Sequence, residues 1–379
     1  MNDKTNPHAG RGENERKVMQ HDRSPHIFRP ITFRSVTARN RIMVSPMCQY
    51  SADDGVANDW HFQHLGCRAV GGAGIVFTEV VHTEPRGRIT PYCLGLWNDE
   101  QRDALARIVR FMKGQGAVAG MQLGHAGRKG STTRPWDGGK GLAAADGGWQ
   151  TIAPSALQFT DTYTVPFEMD QRTIKESIAQ FAANTRRARD AGFDIIEIHS
   201  AHGYLIHEFL SPLSNRRSDE YGGSFDNRIR FLLEVIDAVR SEWPADKPLF
   251  VRISASDWID GGWDLDNSVN LAQRLKAGGQ VDLVDCSSGG LAPQQKIPLY
   301  PGYQVPFAAA IRTRAQIATG AVGLINSPEL AEQIVASGQA DLIIMARAML
   351  NDPYWPLHAA KVLKAKVAWP PQYERGDIY

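Results

Sequence analysis

The sequence predicts a single (β/α)8 TIM barrel, an α/β fold, and three observations lead to that prediction. Eight short apolar runs rich in β-branched residues follow one another from residue 41 onward, amphipathic segments separate most of them, and no linker or low-complexity stretch interrupts the series. Runs that are apolar throughout are typical of strands buried on both faces, as in a parallel sheet covered by helices. The chain of 379 residues also suits a barrel with insertions, since this fold spans about 200 to over 400 residues.

The predicted strands and helices alternate along the chain. The strands are 41–46, 74–80, 118–123, 194–200, 249–254, 281–287, 321–325 and 341–347. The amphipathic helices are 99–113, 171–190, 226–243, 267–276, 305–314 and 328–337. Good N-cap residues begin four of these helices, and glycines that favour a left-handed stop follow three of them. The caps are Asp170, Ser224 or Asp226, Asp266 and Ser327, and the stops are Gly192, Gly278 and Gly338.

A doubly wound sheet is the structural alternative, but its glycine fingerprint is missing. Gly71, Gly72 and Gly74 precede a predicted strand, whereas the phosphate-binding turn of a dinucleotide fold must follow one. The barrel therefore remains the better prediction.

Composition excludes several classes of function. Forty-two basic and 41 acidic side chains leave a formal charge of +1, which is too small to favour nucleic acid or an anionic bilayer as a partner. No stretch approaches the roughly 20 consecutive apolar residues of a membrane helix. Hydrophobic residues make up 42% of the chain, which is typical of an ordinary globular protein.

The two ends of the chain and its cysteines give further expectations. Residues 1–25 are crowded with charged side chains and lack a secretory apolar segment, so we expect a disordered N-terminal arm before a barrel domain at 26–379. Cys48, Cys67, Cys93 and Cys286 lie far apart with no C-x-x-C pair. This usage favours a reducing, cytoplasmic location over a disulfide scaffold.

Reactive side chains cluster at the carboxyl ends of the predicted strands, where barrel enzymes carry their chemistry. After the last two strands, Gly323 and the small Ala346 allow close approach of a ligand, and Arg347 offers a forked donor for phosphate oxygens. The alternative is that Arg347 is an ordinary surface or packing arginine.

His199 and His202 follow the fourth strand and admit three interpretations. They can form a structural hydrogen-bonded pair, or they can bind zinc, with His207 as a third ligand. They can also act as neutral donors to a substrate carbonyl, with Tyr204 close enough to donate a proton. The third interpretation requires no residue beyond those already in this segment.

Gln122 and Arg252 lie on strands three and five, on opposite sides of the same mouth. Their donors suit an electron-accepting heterocycle such as a flavin, whose reduced anion a positive charge stabilises. The alternative for Arg252 is a barrel-interior ion pair with Glu197 or Glu79.

The segment after the first strand has a rigid proline and a methionine, either of which can pack on a flat cofactor. Cys48 in this segment is by default a small buried hydrophobic residue, since a nucleophile needs a nearby base. A Schiff-base aldolase is disfavoured because no strand end carries a lysine, and Lys129 lies in a loop.

Five motifs, taken together and in this order, resemble the Old Yellow Enzyme family of FMN-dependent ene-reductases, and specifically its bacterial cysteine-containing subgroup that includes the xenobiotic reductases. The resemblance covers roughly residues 26–376. The motifs are 45–50 (SPMCQY), 122–129 (QLGHAGRK), 199–205 (HSAHGYL), 211–217 (SPLSNRR) with 219–224 (DEYGGS), and 372–376 (QYERG).

The resemblance implies a role for each matched residue. His199 and His202 would bind the carbonyl or nitro oxygen of an activated alkene, Tyr204 would protonate its α-carbon, and reduced flavin would supply the hydride. Cys48 would tune the flavin rather than attack, Tyr50 would line the substrate pocket, and NADPH would be the reductant. FMN itself would be held by Val44, Ser45, Pro46, Met47, Val80, Gln122, Arg252, Gly323, Ala346 and Arg347.

The resemblance also gives expectations about assembly. A homodimer or homotetramer is expected, in which the C-terminal segment reaches a neighbouring subunit and Arg375 contacts that subunit's substrate. The alternative is that Arg375 is a solvated charge on the C-terminal tail. An insertion is expected around 128–165, and its stretch from Ser131 to Gln150, which contains Trp136 and Trp149, is expected to act as a lid or an interface. Two alternative functions stay open at this point: a zinc-dependent barrel hydrolase or lyase, and a flavin-binding redox protein that does not turn over alkenes.

Overall fold

A computed structural model describes residues 24–377 and shows a closed barrel of eight parallel strands. The predicted disordered arm at 1–25 lies outside the described residues except for its last two positions. The strands are β1 (Ile31–Phe33), β2 (Val36–Ala38), β3 (Ile42–Val44), β4 (Ile75–His82), β5 (Val118–Gly124), β6 (Ile152–Ala153), β7 (Phe167–Glu168), β8 (Ile195–Ser200), β9 (Leu249–Ser254), β10 (Leu283–Ser287), β11 (Ala318–Ala321) and β12 (Leu342–Met345).

Helices cover the outside of the barrel. They are α1 (Asp59–Val70), α2 (Asp99–Gly114), α3 (Gln171–Asp190), α4 (Leu205–Leu210), α5 (Phe225–Glu242), α6 (Leu265–Gly278), α7 (Val305–Ala315), α8 (Pro328–Ala336), α9 (Arg347–Asn351) and α10 (Trp355–Val362). Within residues 24–377, no helix is both long and apolar enough to cross a bilayer.

Each barrel strand pairs in parallel with the next one along the chain, and β12 closes the circle against β3. The hairpin of β1 and β2 lies at the amino end, where Phe33 packs edge-on against Phe250 at 5.1 Å between ring centroids. Phe77 stacks on the other side of Phe250 at 6.3 Å. This apolar layer closes the amino end, so the carboxyl end is the open one.

The predicted (β/α)8 barrel is confirmed, and seven of the eight predicted strands coincide with barrel strands to within two residues at each end. The exception is the seventh predicted strand, 321–325, which is wrong: the corresponding strand β11 spans Ala318–Ala321. The chain turns at once, because Gly323 and Leu324 both adopt a left-handed backbone with φ of 124° and 54°. The true strand has small residues because a Cβ on Gly320 would lie 2.3 Å from Ile344 Cδ1.

Two predicted helix ends also need correction. The side chain that caps α6 is Asp264 rather than Asp266, and it accepts from the backbone N–H of Asn267 at 2.8 Å. The left-handed stop of α6 is Gly279, with φ of 67°, rather than Gly278. The caps at Asp170, Ser224 and Ser327 are confirmed.

The longest connection in the barrel runs from the end of β5 to the start of α3 and contains the short pair β6–β7. Two tryptophans tie it to neighbouring loops. Trp136 packs edge-on against Tyr50 at 5.8 Å, and the indole N–H of Trp149 donates to the carbonyl oxygen of Arg86 at 2.8 Å. The connection therefore forms a wall beside the segment that follows β3.

His82 at the end of β4 is fully buried, and neither ring nitrogen has a hydrogen-bond partner among the described residues. Burial lowers its pKa from 6.5 to about 3. Between about pH 6.5 and about pH 3, His82 is therefore protonated in the unfolded chain but neutral in the folded chain. The free energy of unfolding consequently decreases as pH falls through this range.

We expect His82→Phe to flatten this acid-induced loss by about 1.4 kcal/mol per pH unit between about pH 4 and about pH 6. The free energy of unfolding, measured by urea titration across this range, checks the expectation. Above about pH 7 the difference between variant and wild type should be constant, which separates the proton effect from any packing offset. Parallel slopes at acid pH would contradict it.

Candidate active site

The carboxyl ends of the barrel strands bring most of the predicted site residues to one rim. Val44 ends β3 and Ser45 follows it, with the Ser45 N–H donating to the carbonyl oxygen of Met345 at 2.9 Å. Pro46 and Met47 continue into the loop, half-buried. Gln122, His199 and Arg252 come from β5, β8 and β9. The parallel barrel positions these residues because all eight strands run in one direction.

His199 and His202 lie close together, with ring centroids 5.1 Å apart and planes at 81°. His202 has a left-handed backbone, with φ of 60°, in the tight turn after β8. Lys129 holds this turn, since its Nζ donates to the carbonyl oxygens of His202 at 2.8 Å and Gly290 at 2.9 Å. Gly203 has no room for a side chain, because a Cβ would lie 2.2 Å from the Gly290 oxygen.

Hydrogen bonds set which nitrogen of each imidazole carries the proton. The Ala201 N–H donates to His199 Nδ1 at 3.3 Å, so the neutral ring is protonated at Nε2. His202 Nε2 lies 2.7 Å from Ser287 Oγ, whose hydroxyl makes no other hydrogen bond within residues 24–377. When Ser287 donates to Nε2, Nδ1 of His202 carries the proton. The pair then offers two N–H donors.

Both imidazoles are neutral at physiological pH. Burial lowers the pKa of His199 and of His202 well below the usual range, and the positive charge of Arg252 acts in the same direction. They are therefore suited to donate hydrogen bonds to an oxygen without carrying a charge.

Tyr204 lies beside this pair, with its ring centroid 5.2 Å from that of His199. It belongs to an apolar cluster with Cys48, Tyr50 and Val80, which the loops after β3 and β8 bring together. Burial raises the pKa of both the Tyr204 hydroxyl and the Cys48 thiol well above their ordinary values. Both groups therefore hold their protons at neutral pH.

Arg252 is buried and makes two side-chain contacts. Its Nη1 donates to Ser45 Oγ at 2.9 Å, and its Nε lies 3.2 Å from Asp285 Oδ2. The barrel-interior ion pair that was the alternative for Arg252 is therefore present, but its partner is Asp285 rather than Glu197 or Glu79. Gln122 Nε2 donates to Glu197 Oε1 at 2.8 Å, and Glu79 lies 3.2 Å from His61 Nε2.

Gly323, Ala346 and Arg347 line one cavity of about 160 Å³ at the ends of β11 and β12, beside Ser287 and Tyr303. A Cβ on Gly323 would lie 3.0–3.2 Å from Gln304 and Tyr303, so glycine keeps the cavity open. Ala346, with φ of −105° and ψ of −90°, connects β12 to α9. The exposed Arg347 side chain makes no hydrogen bond or ion pair with any residue of the described chain.

These residues fit FMN. Gln122 Oε1 and Arg252 Nη2 have no hydrogen-bond partner between residues 24 and 377, although the rest of each side chain is held. One acceptor and one cationic donor suit a flavin ring. The cavity with Arg347 at its edge suits the phosphate, and Ser287 joins that cavity to His202.

The zinc interpretation finds no support. His207 Nε2 lies 2.9 Å from Asp257 Oδ1, and His207 Nδ1 accepts from the Gly203 N–H at 2.9 Å, so both ring nitrogens are occupied. No group of three potential metal ligands occurs between residues 24 and 377.

Arg375 does not join the rim in this single chain. It lies in an exposed 3-10 turn, Pro371–Gly376, near the C-terminus. Asp285, Ser287 and Lys129 also lie at the rim. Ser287 ends a predicted strand and was expected there, whereas sequence reasoning assigned no role to Asp285 or Lys129. The one available signal was a charged residue, Asp285, within an otherwise apolar strand.

Comparisons with known proteins agree with this geometry. Residues 26–366 match the NADH:flavin oxidoreductase / NADH oxidase family. An NADPH dehydrogenase of Geobacillus sp. (strain WCH70) is 51% identical over 352 residues, 92% of this chain and 98% of the relative. Among solved structures, 2-naphthoyl-CoA reductase in complex with 2-naphthoyl-CoA matches with a TM-score of 0.81 at 26% identity, over 89% of this chain and only 52% of that one. The old yellow enzyme homologue from Zymomonas mobilis matches with a TM-score of 0.74 at 27% identity. This match covers 91% of this chain and 94% of that one.

The fold and these relationships define a TIM-barrel oxidoreductase. The chain belongs to the NADH:flavin oxidoreductase / NADH oxidase family, and it is an FMN-dependent enzyme of the Old Yellow Enzyme type. The predicted resemblance, fold and cofactor are thereby confirmed.

Proposed function

We propose that the protein is an NADPH-dependent ene-reductase that reduces the C=C bond of α,β-unsaturated carbonyl or nitro compounds. The observation that carries the proposal is the neutral His199–His202 pair beside a protonated Tyr204. The NADPH dehydrogenases that are about half identical to this chain support NADPH as the reductant.

FMN, when bound, supplies two-electron hydride chemistry. Gln122 and Arg252 would hold its ring, and Gly323, Ala346 and Arg347 would hold its phosphate. Val44, Ser45, Pro46, Met47 and Val80 would pack around it. Arg252 is positioned by Ser45 and Asp285, so its charge would favour the reduced, anionic form of the ring.

The histidine pair would bind the carbonyl or nitro oxygen of the substrate through two N–H groups, Nε2–H of His199 and Nδ1–H of His202. Negative charge grows on this oxygen as the β-carbon accepts hydride, so the two hydrogen bonds strengthen in the transition state. Tyr204 Oη would then deliver its proton to the α-carbon, which completes the addition of two hydrogens.

Cys48 and Tyr50 would shape the pocket rather than react. Both lie in the apolar cluster with Tyr204 and Val80. Burial and the nearby Glu79 charge raise the pKa of the Cys48 thiol, which disfavours the nucleophilic thiolate. The four cysteines are free, which supports the proposal of a reducing, cytoplasmic location.

An anaerobic titration of the FMN-loaded protein tests the proposal. NADPH should bleach the flavin absorbance, and cyclohexenone, a maleimide or a nitroalkene should restore it. Bleaching that no alkene reverses would identify a redox protein without alkene turnover. Failure of NADPH to bleach the flavin would refute the proposed reductant.

We expect Arg347→Gln to weaken FMN binding about tenfold and to leave riboflavin binding unchanged, because only FMN carries the phosphate. Fluorescence quenching of each flavin by the apoprotein measures both dissociation constants. Gly323→Val is a second variant with the same expected selectivity, since its side chain would fill the cavity. Equal weakening for the two flavins would contradict the phosphate assignment.

We propose a homo-oligomer, a dimer or tetramer, in which Arg375 reaches the substrate pocket of a neighbouring subunit. Its exposed position on the C-terminal 3-10 turn supports this. Co-expression of Arg375→Ala and Tyr204→Phe subunits should then give more enone reductase activity than either variant alone, because mixed oligomers contain complete sites. Activity no higher than the average of the parents would place Arg375 in its own subunit's site or outside any site.

A further inference from the structure

A second cavity, of about 410 Å³, lies beside the active-site mouth and has no part in the function proposed above. It is formed by the β5–α3 connection, the segment after α4 and the loops after β9 and β10. Its lining residues are Arg128, Leu157, Gln158, Phe159, Leu213, Arg216, Ile259, Ala292, Pro293 and Gln294. The volume falls in the range of about 300 to 1,000 Å³ that small-molecule sites occupy.

The cavity adjoins the candidate active site through Lys129. The Lys129 ammonium lies 4.6 Å from the centre of the Phe159 ring, and 5.0 Å from the centre of the Tyr204 ring on the other side. Phe159 lines the cavity, so Lys129 lies between the cavity and Tyr204, and a substrate long enough to extend past Lys129 would reach the cavity. An extended substrate such as a nicotinamide dinucleotide is long enough to do so.

The lining suits a phosphorylated, aromatic group. Two arginines contribute positive charge and no lining residue is acidic. The side chain of Arg216 is exposed and makes no hydrogen bond or ion pair within residues 24–377, whereas its neighbour Arg217 is fully engaged by Asp219 and two backbone oxygens.

Arg128 gives the cavity a rigid cationic wall. It is 6% exposed, and its two terminal nitrogens donate to the carbonyl oxygens of Leu157 at 3.2 Å and Leu291 at 2.8 Å. Its buried Nε has no hydrogen-bond partner among the described residues. Phe159 adds an aromatic surface next to this wall, with Arg128 5.9 Å from its ring centre.

We propose that this cavity binds the phosphorylated adenosine of a nucleotide substrate, with Arg216 on the ribose phosphate and Phe159 against the adenine. Arginine suits phosphate because its fork of donors matches the phosphate oxygens, and adenine stacks on aromatic rings. NADPH carries such a phosphate at the 2′ position, and a CoA thioester of an unsaturated acid carries one at the 3′ position. The inference rests on the proposed function insofar as the nucleotide is a substrate of that site.

Direct binding tests the cavity without any turnover. Calorimetry on the FMN-loaded protein compares 2′,5′-ADP, 3′,5′-ADP and 5′-ADP. We expect one of the two bisphosphates to bind about tenfold more tightly than 5′-ADP, and Arg216→Gln to remove that advantage. Arg107→Gln is the matched control, because Arg107 is an exposed arginine on α2 that pairs with Asp59. Preference for the 2′ isomer would assign the cavity to NADPH, and preference for the 3′ isomer would assign it to a CoA thioester.

Rate measurements separate this inference from the proposed function. Arg216→Gln should raise the KM of the matching nucleotide about tenfold, with kcat and the reoxidation of reduced flavin by cyclohexenone unchanged. Phe159→Ala should weaken all three ADP analogues together. Equal binding of the three analogues to the wild type, or the same preference in Arg216→Gln, would overturn the inference. A protein that binds 2′,5′-ADP but is not bleached by NADPH would refute the proposed function alone.

Discussion

Tyr204→Phe is expected to slow reoxidation of the reduced flavin by cyclohexenone about 100-fold or more, while reduction by NADPH changes less than about twofold. The phenol is the protonated group beside the histidine pair, and burial holds its pKa above the ordinary value. Only the alkene half-reaction needs a proton from the protein, since NADPH releases its hydride without one. Stopped-flow absorbance at the flavin band measures each half-reaction separately.

Two further measurements define what this variant means. A nitroalkene, whose reduced anion is stable enough to leave and be protonated by water, should be reduced by Tyr204→Phe almost as fast as by the wild type. The oxidised form of the variant should also retain the wild-type affinity for cyclohexenone to within a few fold, since His199 and His202 would hold the carbonyl oxygen. Equal slowing of both half-reactions would show that Tyr204 positions the ring or the ligand instead of donating the proton.

Arg252→Met is expected to lower the free energy of unfolding by about 3 kcal/mol and to abolish measurable FMN binding. The substitution leaves the fully buried Asp285 without its cationic partner and Ser45 without its donor. Burial already raises the pKa of Asp285 to about 6, with Arg252 opposing the rise. Because the folded carboxyl is then more easily neutralised at low pH, the loss of stability should be smaller at about pH 5 than at about pH 8.

Urea titrations of the apoprotein at both pH values check the stability change, and fluorescence quenching checks FMN binding. Arg252→Lys keeps a positive charge and should lose less stability. Arg252→Met combined with Asp285→Leu should regain part of the stability, since the unpaired Asp285 carboxylate is removed, yet should still fail to bind FMN. Wild-type FMN affinity in Arg252→Met would remove this residue from the flavin site.

The barrel could be predicted because its strands have a strong physical signal. A strand buried on both faces is mostly apolar, and β8, β9 and β5 show this: all their residues are buried, and only a few polar side chains such as Glu197, Arg252 and Gln122 interrupt the apolar runs. β11 escaped because its four residues, Ala318 to Ala321, are small where β12 approaches closely. Strand prediction from hydrophobic pattern depends on large apolar side chains, and β11 contains none.

The sequence could predict which residues lie at the rim of the barrel, but it could not predict which side chains contact one another there. Strand direction alone placed His199, Gln122 and Arg252 at one end of the barrel. The partners that orient them come from distant parts of the chain: Ser287 lies 85 residues from His202, and Ser45 lies 207 residues from Arg252. No local pattern encodes such pairs, so the contacts that Asp285 and Ser287 make are visible only in the structure.

The wall that Trp136 builds against Tyr50 belongs to an excursion between β5 and α3, outside the closed ring of strands. Its tryptophan is 62% exposed, so changes there would disturb few buried contacts. On the function proposed above, substitutions of Trp136 would therefore alter one side of the substrate pocket while the residues that would hold FMN stay in place.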